Sequence, residues 1–173
     1  MSQPIRILHL EDNPADALLV RDLFAEQGLV AEIKEADCKE KFIEAFNDGQ
    51  WDLVLSDFRL KDFNGLEVLR IVRQKDPLLP FILLSGTIGE LAAIESLKAG
   101  ATDYVLKNNR ERLVSAVRRA ITEAVERQRL KAAEEDLRRS EKQYRFLFQS
   151  NPHPMLIFDL GDLKILEDRK SVV

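Results

Sequence analysis

Residues 51–60 read WDLVLSDFRL, and the reading of this stretch decides the fold. A continuous apolar run of this length is what a parallel strand covered on both faces requires, and it ends on an aspartate, Asp57. A carboxylate is costly there unless it sits at the strand's end and finds partners. What those partners are depends on which other strand ends come near Asp57.

Working outward, short apolar runs alternate with helical patterns five times. IRILHL (5–10) reads as a first strand. DNPADALLVRDLFAEQG (12–28) reads as a helix capped by Asn13 ahead of Pro14 and stopped by Gly28. VAEIKEA (30–36) alternates as an edge strand does, and CKEKFIEAFNDG (38–49) is a second helix. FILLS (81–85) is a second continuous apolar run, preceded by a helix over NGLEVLRIVRQKD (64–76) and followed by one over GELAAIESLKAG (89–100). DYVLK (103–107) is the fifth strand, and a long helical pattern starts near Arg110. The alternation predicts α/β class: a (βα)5 doubly wound parallel sheet, flavodoxin-like, of strand order 2-1-3-4-5, with a long C-terminal helix.

In such sheets sites form beyond the carboxyl ends of the strands, where strand order reverses. That rule gathers Glu11 and Asp12 from the first strand, Asp57 from the third, Ser85 from the fourth and Lys107 from the fifth. Three carboxylates in one cleft repel each other unless a cation joins them. A hard ion such as Mg2+ suits that donor set, and the lack of a cysteine or histidine cluster argues against zinc. With the ion bound, Asp57 can attack a phosphoryl group, Lys107 can neutralise its oxygens and Ser85 can donate a hydrogen bond to one.

Composition excludes other classes. No apolar run approaches the roughly 18 residues of a membrane span, and MSQPIRILHL lacks the basic start of a secretory signal, so a cytoplasmic location is expected. The single cysteine, Cys38, cannot form an internal disulfide and has no metal-ligand spacing. The net charge of −4 conceals an asymmetry: residues 1–109 carry 12 Lys and Arg against 19 Asp and Glu, whereas residues 110–143 carry 10 against 7. The acidic first part argues against direct nucleic-acid binding, and the basic excess beyond it is interleaved with acids as on a solvated helix. Arg59 and Lys61 stand where an EF-hand needs acidic or amide residues, and SGTIGE (85–90) lacks the Lys-Ser/Thr pair of a P-loop.

LHLEDNPAD (8–16), LVLSDFRLKDFNGLEVL (53–69), ILLSGTIGE (82–90) and AGATDYVLKNN (99–109) resemble, in order and spacing, the receiver domain of two-component response regulators. The resemblance spans about residues 4–125. It implies Asp57 as phosphoacceptor, Asp12 as direct Mg2+ ligand, Glu11 as the acidic neighbour holding the ion through water, and the backbone carbonyl of Arg59 as a further ligand. It also implies Ser85 as switch hydroxyl, Tyr104 as switch aromatic and Lys107 as the phosphoryl-binding lysine. The implied phosphodonor is a histidine kinase or a histidine phosphotransfer protein. The chain would catalyse its own phosphorylation and is otherwise not expected to be an enzyme.

Asn108 departs from the family, which carries proline there in a cis peptide. A cis bond before a non-proline residue costs about 2.5–4 kcal/mol, so a trans bond or a rearranged loop is expected. The switch needs several partners, because inverting a two-state population from about 1:99 takes roughly 5.5 kcal/mol and one hydrogen bond to a charged group supplies about 1.5–3 kcal/mol. Ser85 and Lys107 acting on one phosphoryl group suffice, with Tyr104 filling the space that Ser85 vacates. Arg59 and Thr87 lie two positions beyond Asp57 and Ser85, where side chains can shield an acyl phosphate. His9, inside an apolar strand, reads as a histidine with satisfied ring nitrogens.

Beyond the receiver-like part (1–125), residues 126–143 read as a helical, coiled-coil-like linker. Leu130, Ala133, Leu137, Ser140, Tyr144 and Leu147 follow a 3-4 spacing, for which a homodimer is expected, and an earlier stripe of Val114, Val117, Ile121 and Ala124 is expected to pack on the sheet. Residues 144–173 resemble the opening helix and first strands of a PAS domain and are too few to complete one. The chain then reads as a regulatory portion of a larger protein, such as a sensor kinase or nucleotide cyclase, or as carrying an unrelated tail. A non-phosphorylated dimerisation or docking module is the structural alternative.

Overall fold

The computed structural model describes residues 3–61, 63–86, 90–150, 155–158, 161 and 165–169. The chain forms two compact units, Met1–Glu126 and Arg127–Val173. The first contains five strands, β1 (Ile5–Leu10), β2 (Ala31–Ala36), β3 (Leu53–Asp57), β4 (Phe81–Ser85) and β5 (Asp103–Leu106). They are joined by α1 (Pro14–Glu26), α2 (Lys39–Asp48), α3 (Gly65–Lys75) and α4 (Glu90–Lys98), and α5 (Arg110–Ser150) follows. All strands pair in parallel, in the order β2-β1-β3-β4-β5, a doubly wound flavodoxin-like sheet.

Local chemistry sets the boundaries. The Asn13 side chain accepts from the Ala15 N–H at 3.1 Å and Pro14 fills the first turn of α1, where its missing N–H has no helical acceptor to lose. At the far end Gly28 turns with φ 62°, a conformation that glycine adopts without strain. Asn64 caps α3 in the same way, accepting from the Glu67 N–H at 3.0 Å.

β3 and β4 are buried along their whole length, as strands with helices on both faces must be. Successive side chains alternate between two cores. Ile7, Leu53, Leu55, Ile82, Leu84 and Val105 face α1 and α5. Leu8, Leu10, Val54, Phe81, Leu83 and Tyr104 pack with Phe42 and Phe46 of α2 and Val68, Leu69 and Val72 of α3. The earlier stripe on α5 does pack on the sheet: Val114 and Val117 are buried in the first core with Leu113, Ala116 and Ala120, and Ile121 lies against it.

In the second unit, β6 (Met155–Phe158) and β7 (Ile165–Arg169) form an antiparallel pair. Leu130, Leu137, Tyr144 and Leu147 are exposed, whereas Phe148 is buried and stacks with Tyr144 at 5.9 Å between ring centroids. No helix among the described residues is long and apolar enough to cross a membrane.

Candidate functional site

The carboxyl ends of β1, β3, β4 and β5 lie side by side because β3 pairs with β1 on one edge and with β4 on the other. Glu11 follows β1 directly, its N–H donating to Ala36 O at 3.0 Å as if the strand continued. Its side chain is only 1% exposed. Asp57 ends β3, held by the Phe58 N–H donating to Leu84 O at 2.7 Å and by Ser56 Oγ donating to the Asp57 carbonyl oxygen at 3.0 Å. Lys107 follows β5, and its N–H donates to Ser85 O at 2.8 Å.

Carboxylate oxygens of Glu11, Asp12 and Asp57 all lie within 4.8 Å of one another. Backbone amides assist all three, the Asn13 N–H donating to Glu11 Oε1 at 3.1 Å. The Lys61 N–H donates to Asp12 Oδ2 at 3.2 Å and the Arg59 N–H to Asp57 Oδ1 at 3.3 Å, which wraps the loop after β3 around the acids. Opposite oxygens on a Mg2+ ion are about 4 Å apart, so this all-oxygen donor set fits such an ion with one acid bound through water.

The cationic side of the site is Lys107. Its Nζ donates to Glu11 Oε2 at 2.5 Å, Asp16 Oδ2 at 2.6 Å and Asp57 Oδ2 at 2.9 Å. Burial pushes the ammonium's pKa down, but the hydrogen bonds to Asp16, Glu11 and Asp57 together outweigh it and hold the group above the ordinary lysine value. Glu11 is raised above the ordinary glutamate value, chiefly by burial and further by the charge of Asp57, against the pull of Lys107.

Glu11, Asp12, Asp57 and Lys107, named from the sequence, therefore meet. Ser85 is buried at the end of β4 beside them. Tyr104 is buried too, in the core on the α2 and α3 face, edge-on to Phe58 at 6.2 Å between centroids and 74° between planes. Arg59 is exposed and bridges to Asn64. There is no cis peptide among the described residues, so Lys107–Asn108 is trans. Thr87 lies outside the described residues.

Two features differ from the sequence reading. Asp16, the third partner of Lys107, is missing from it, because an acid in a helix's first turn is ordinary dipole chemistry and nothing local marks it as a lysine partner. His9 is a correction: its side chain is fully buried, yet neither ring nitrogen has a hydrogen-bond partner among the described residues. Strand alternation turns it onto the apolar α1–α5 face with Ile7, where aliphatic side chains offer no acceptor. Burial, and then the charge of Lys107, lowers its pKa to about 4 against a weaker opposing effect of Asp16, so the ring is neutral.

Known proteins are similar to this chain in sequence and in fold. The chain is 33% identical over 116 residues to the transcriptional regulatory protein TrcR of Mycobacterium tuberculosis, covering 66% of this chain and 44% of that one. It spans less than half the length of each of three curated relatives that it matches. In structure it is similar to a signal receiver domain of a LuxO repressor protein from Vibrio parahaemolyticus, with TM-score 0.67, 22% identity, 74% of this chain and 98% of that one covered. It is similar also to a CheY-like receiver domain from Methanospirillum hungatei, with TM-score 0.65, 23% identity and coverage of 72% and 99%. At these identities the two structures speak to the fold alone. The family model for the response regulator receiver domain matches residues 7–118, well over half of the chain. With that match laid over the sheet whose strand ends bring Asp57, two further acids and Lys107 together, the chain belongs to the response regulator receiver domain family.

Proposed function

We propose that Asp57 accepts a phosphoryl group from a phosphohistidine on a partner histidine kinase or phosphotransfer protein, and that the modified protein switches conformation to control an attached or partner output. The observation that carries this reading is the juxtaposition at Asp57: two more carboxylates with oxygens within 4.8 Å and the Lys107 ammonium 2.9 Å away. An oxygen of Asp57 attacks phosphorus, the P–N bond to the donor imidazole breaks as the O–P bond forms, and the imidazole leaves with the electron pair. Glu11, Asp12, Asp57 and the Arg59 carbonyl would hold Mg2+, which supplies charge neutralisation on the phosphoryl oxygens when bound.

The protein's own groups prepare the rest. Lys107 gives its hydrogen bond to Asp57 over to a phosphoryl oxygen, and Ser85 moves toward the same group. Tyr104 then follows into the space that Ser85 leaves, remodelling the surface of α4, β5 and α5. The exposed leucines of the 3-4 seam, Leu130 and Leu137, favour a homodimer through residues 126–143. We place the chain in the cytoplasm, with residues 1–125 as receiver and 144–173 as a PAS-like segment. The acidic balance of residues 1–109 supports a role without direct nucleic-acid contact.

The test is intact-mass spectrometry after incubation with Mg2+ and a small acyl phosphate donor, beside Asp57→Asn and a chelator control. One added phosphoryl group, absent from both controls, is expected. No adduct, with beryllofluoride also failing to bind, gives the lead to the docking-module reading.

A further inference from the structure

Lys107 has three N–H donors, and each is committed to a different carboxylate: Glu11, Asp16 and Asp57. Two of these acceptors belong with Asp12 to the group whose oxygens can hold a cation, and Asp16 does not. Asp16 sits instead in the first turn of α1, anchored there by the Asn13 cap and by burial of Ala17 and Val20 in the following turn. The cleft beside it is lined by Leu19, Val20, Leu23, Leu84 and Leu113, an apolar wall that offers the lysine head no other acceptor.

A lysine stem is flexible, and fixing its head needs an acceptor that stays put. When a divalent ion takes up Glu11 and Asp57, the charge of those two oxygens is shared with the ion and their hold on the ammonium weakens. Among the described residues, Asp16 is the one acceptor of the Lys107 ammonium outside that competition. We propose that Asp16 is a positioning residue, whose carboxylate keeps the Lys107 ammonium beside Asp57 in the cation-loaded site so that an incoming phosphoryl group meets a donor already in place. The inference rests on the phosphoacceptor reading of Asp57 and assigns a task to a residue that touches neither the ion nor the phosphoryl group.

Because Asp16 is 31% exposed, its bond to Lys107 falls at the low end for hydrogen bonds to charged groups, and about a tenfold slower phosphorylation of Asp16→Asn by acetyl phosphate with Mg2+ is expected. Asp16→Glu, which keeps the charge, recovers most of the rate. Mg2+ affinity by calorimetry weakens only slightly in Asp16→Asn, since a nearby negative charge has gone but none of the candidate ligands has. In Mg2+-loaded protein, NMR relaxation of the Lys107 methylene next to nitrogen reports greater mobility in Asp16→Asn, and the difference shrinks in metal-free protein, where Glu11 and Asp57 still hold the ammonium. In a Lys107→Ala background Asp16→Asn causes no further loss, because the residue acts through the lysine.

An Asp16→Asn protein phosphorylated as fast as the wild type, or faster, overturns the proposal and makes Asp16 a spectator or a competitor for the ammonium. An equal loss with and without Lys107 overturns it in favour of a purely structural role for the α1 turn. A wild-type protein that takes no phosphoryl group overturns the phosphoacceptor reading itself, and the positioning role with it.

Discussion

Lys107 Nζ lies 2.9 Å from Asp57 Oδ2 although 50 residues separate them in sequence. β4 stands between their strands, so the lysine reaches across the end of one strand, past Ser85, to the aspartate. This contact holds the site's charge in balance, and removing either partner exposes what the other does.

Lys107→Met leaves Glu11, Asp16 and Asp57 facing one another without a cation. The side chain of Lys107 is 20% exposed, so the cost lies below that of breaking a fully buried pair, at about 2 kcal/mol in metal-free buffer at neutral pH. The pH dependence has a definite sign. Glu11 is already raised above 4.5 by burial and rises further without the lysine, so the folded protein binds a proton that the unfolded chain releases. Urea unfolding of the variant in chelator therefore shows stability increasing as pH falls from neutral toward 4.5, and a flat profile counts against this balance.

His9 makes the opposite contribution. Its folded pKa of about 4 lies below the ordinary 6.5, so between these values the unfolded chain takes up a proton that the folded one refuses, and stability falls as pH drops. The span is worth on the order of 3 kcal/mol. His9→Leu removes this slope while leaving that of Glu11 in place, so the difference between wild type and variant in metal-free urea titrations isolates it. Parallel curves from pH 6.5 to 4 would mean that the ring is protonated inside the fold.

Gly65 is the point at which α3 touches β3, the strand that ends in Asp57. A Cβ there would lie 2.6 Å from the carbonyl oxygen of Asp57 and 2.4 Å from Leu83 Cδ2, and the carbonyl cannot rotate away. Gly65→Ala is expected to destabilise the fold by about 2 kcal/mol and to slow phosphorylation by shifting Asp57. Gly86→Ala, with nothing within 4 Å of its added carbon, is the control and stays within about 0.5 kcal/mol of wild type. Thermal unfolding of both variants with the mass-shift assay checks the pair.

The seam on the long helix is tested in the whole chain. Leu130 and Leu137 are 67% and 63% exposed in one chain, so charging them costs a monomer nothing in packing. Leu130→Glu with Leu137→Glu is expected to halve the mass found by sedimentation equilibrium while leaving the thermal midpoint of the receiver unit in place. A wild-type mass equal to one chain sinks the dimer reading.

The strands and helices of the receiver unit were legible because their signals are local. Alternation and apolar runs marked IRILHL and FILLS as strands with the bounds observed, and Asn13 and Pro14 marked the start of α1 by cap chemistry that needs no tertiary partner. Glu11, Asp12, Asp57 and Lys107 could be gathered from sequence because a parallel doubly wound sheet places every carboxyl end on one edge.

Asp16 and His9 were not legible in this way, for one physical reason. Which carboxylate reaches Lys107 depends on how α1 is rotated against β5, and whether a buried imidazole has a partner depends on which helices cover its face of the sheet. The sequence by itself determined the order of elements, the strand ends that carry acids and the lysine that answers them, since period, caps and strand-end position are written in neighbouring residues. Only the tertiary structure decided that the lysine serves three acids at once and that neither ring nitrogen of buried His9 has a partner among the described residues, because those are distances between residues that no local pattern connects.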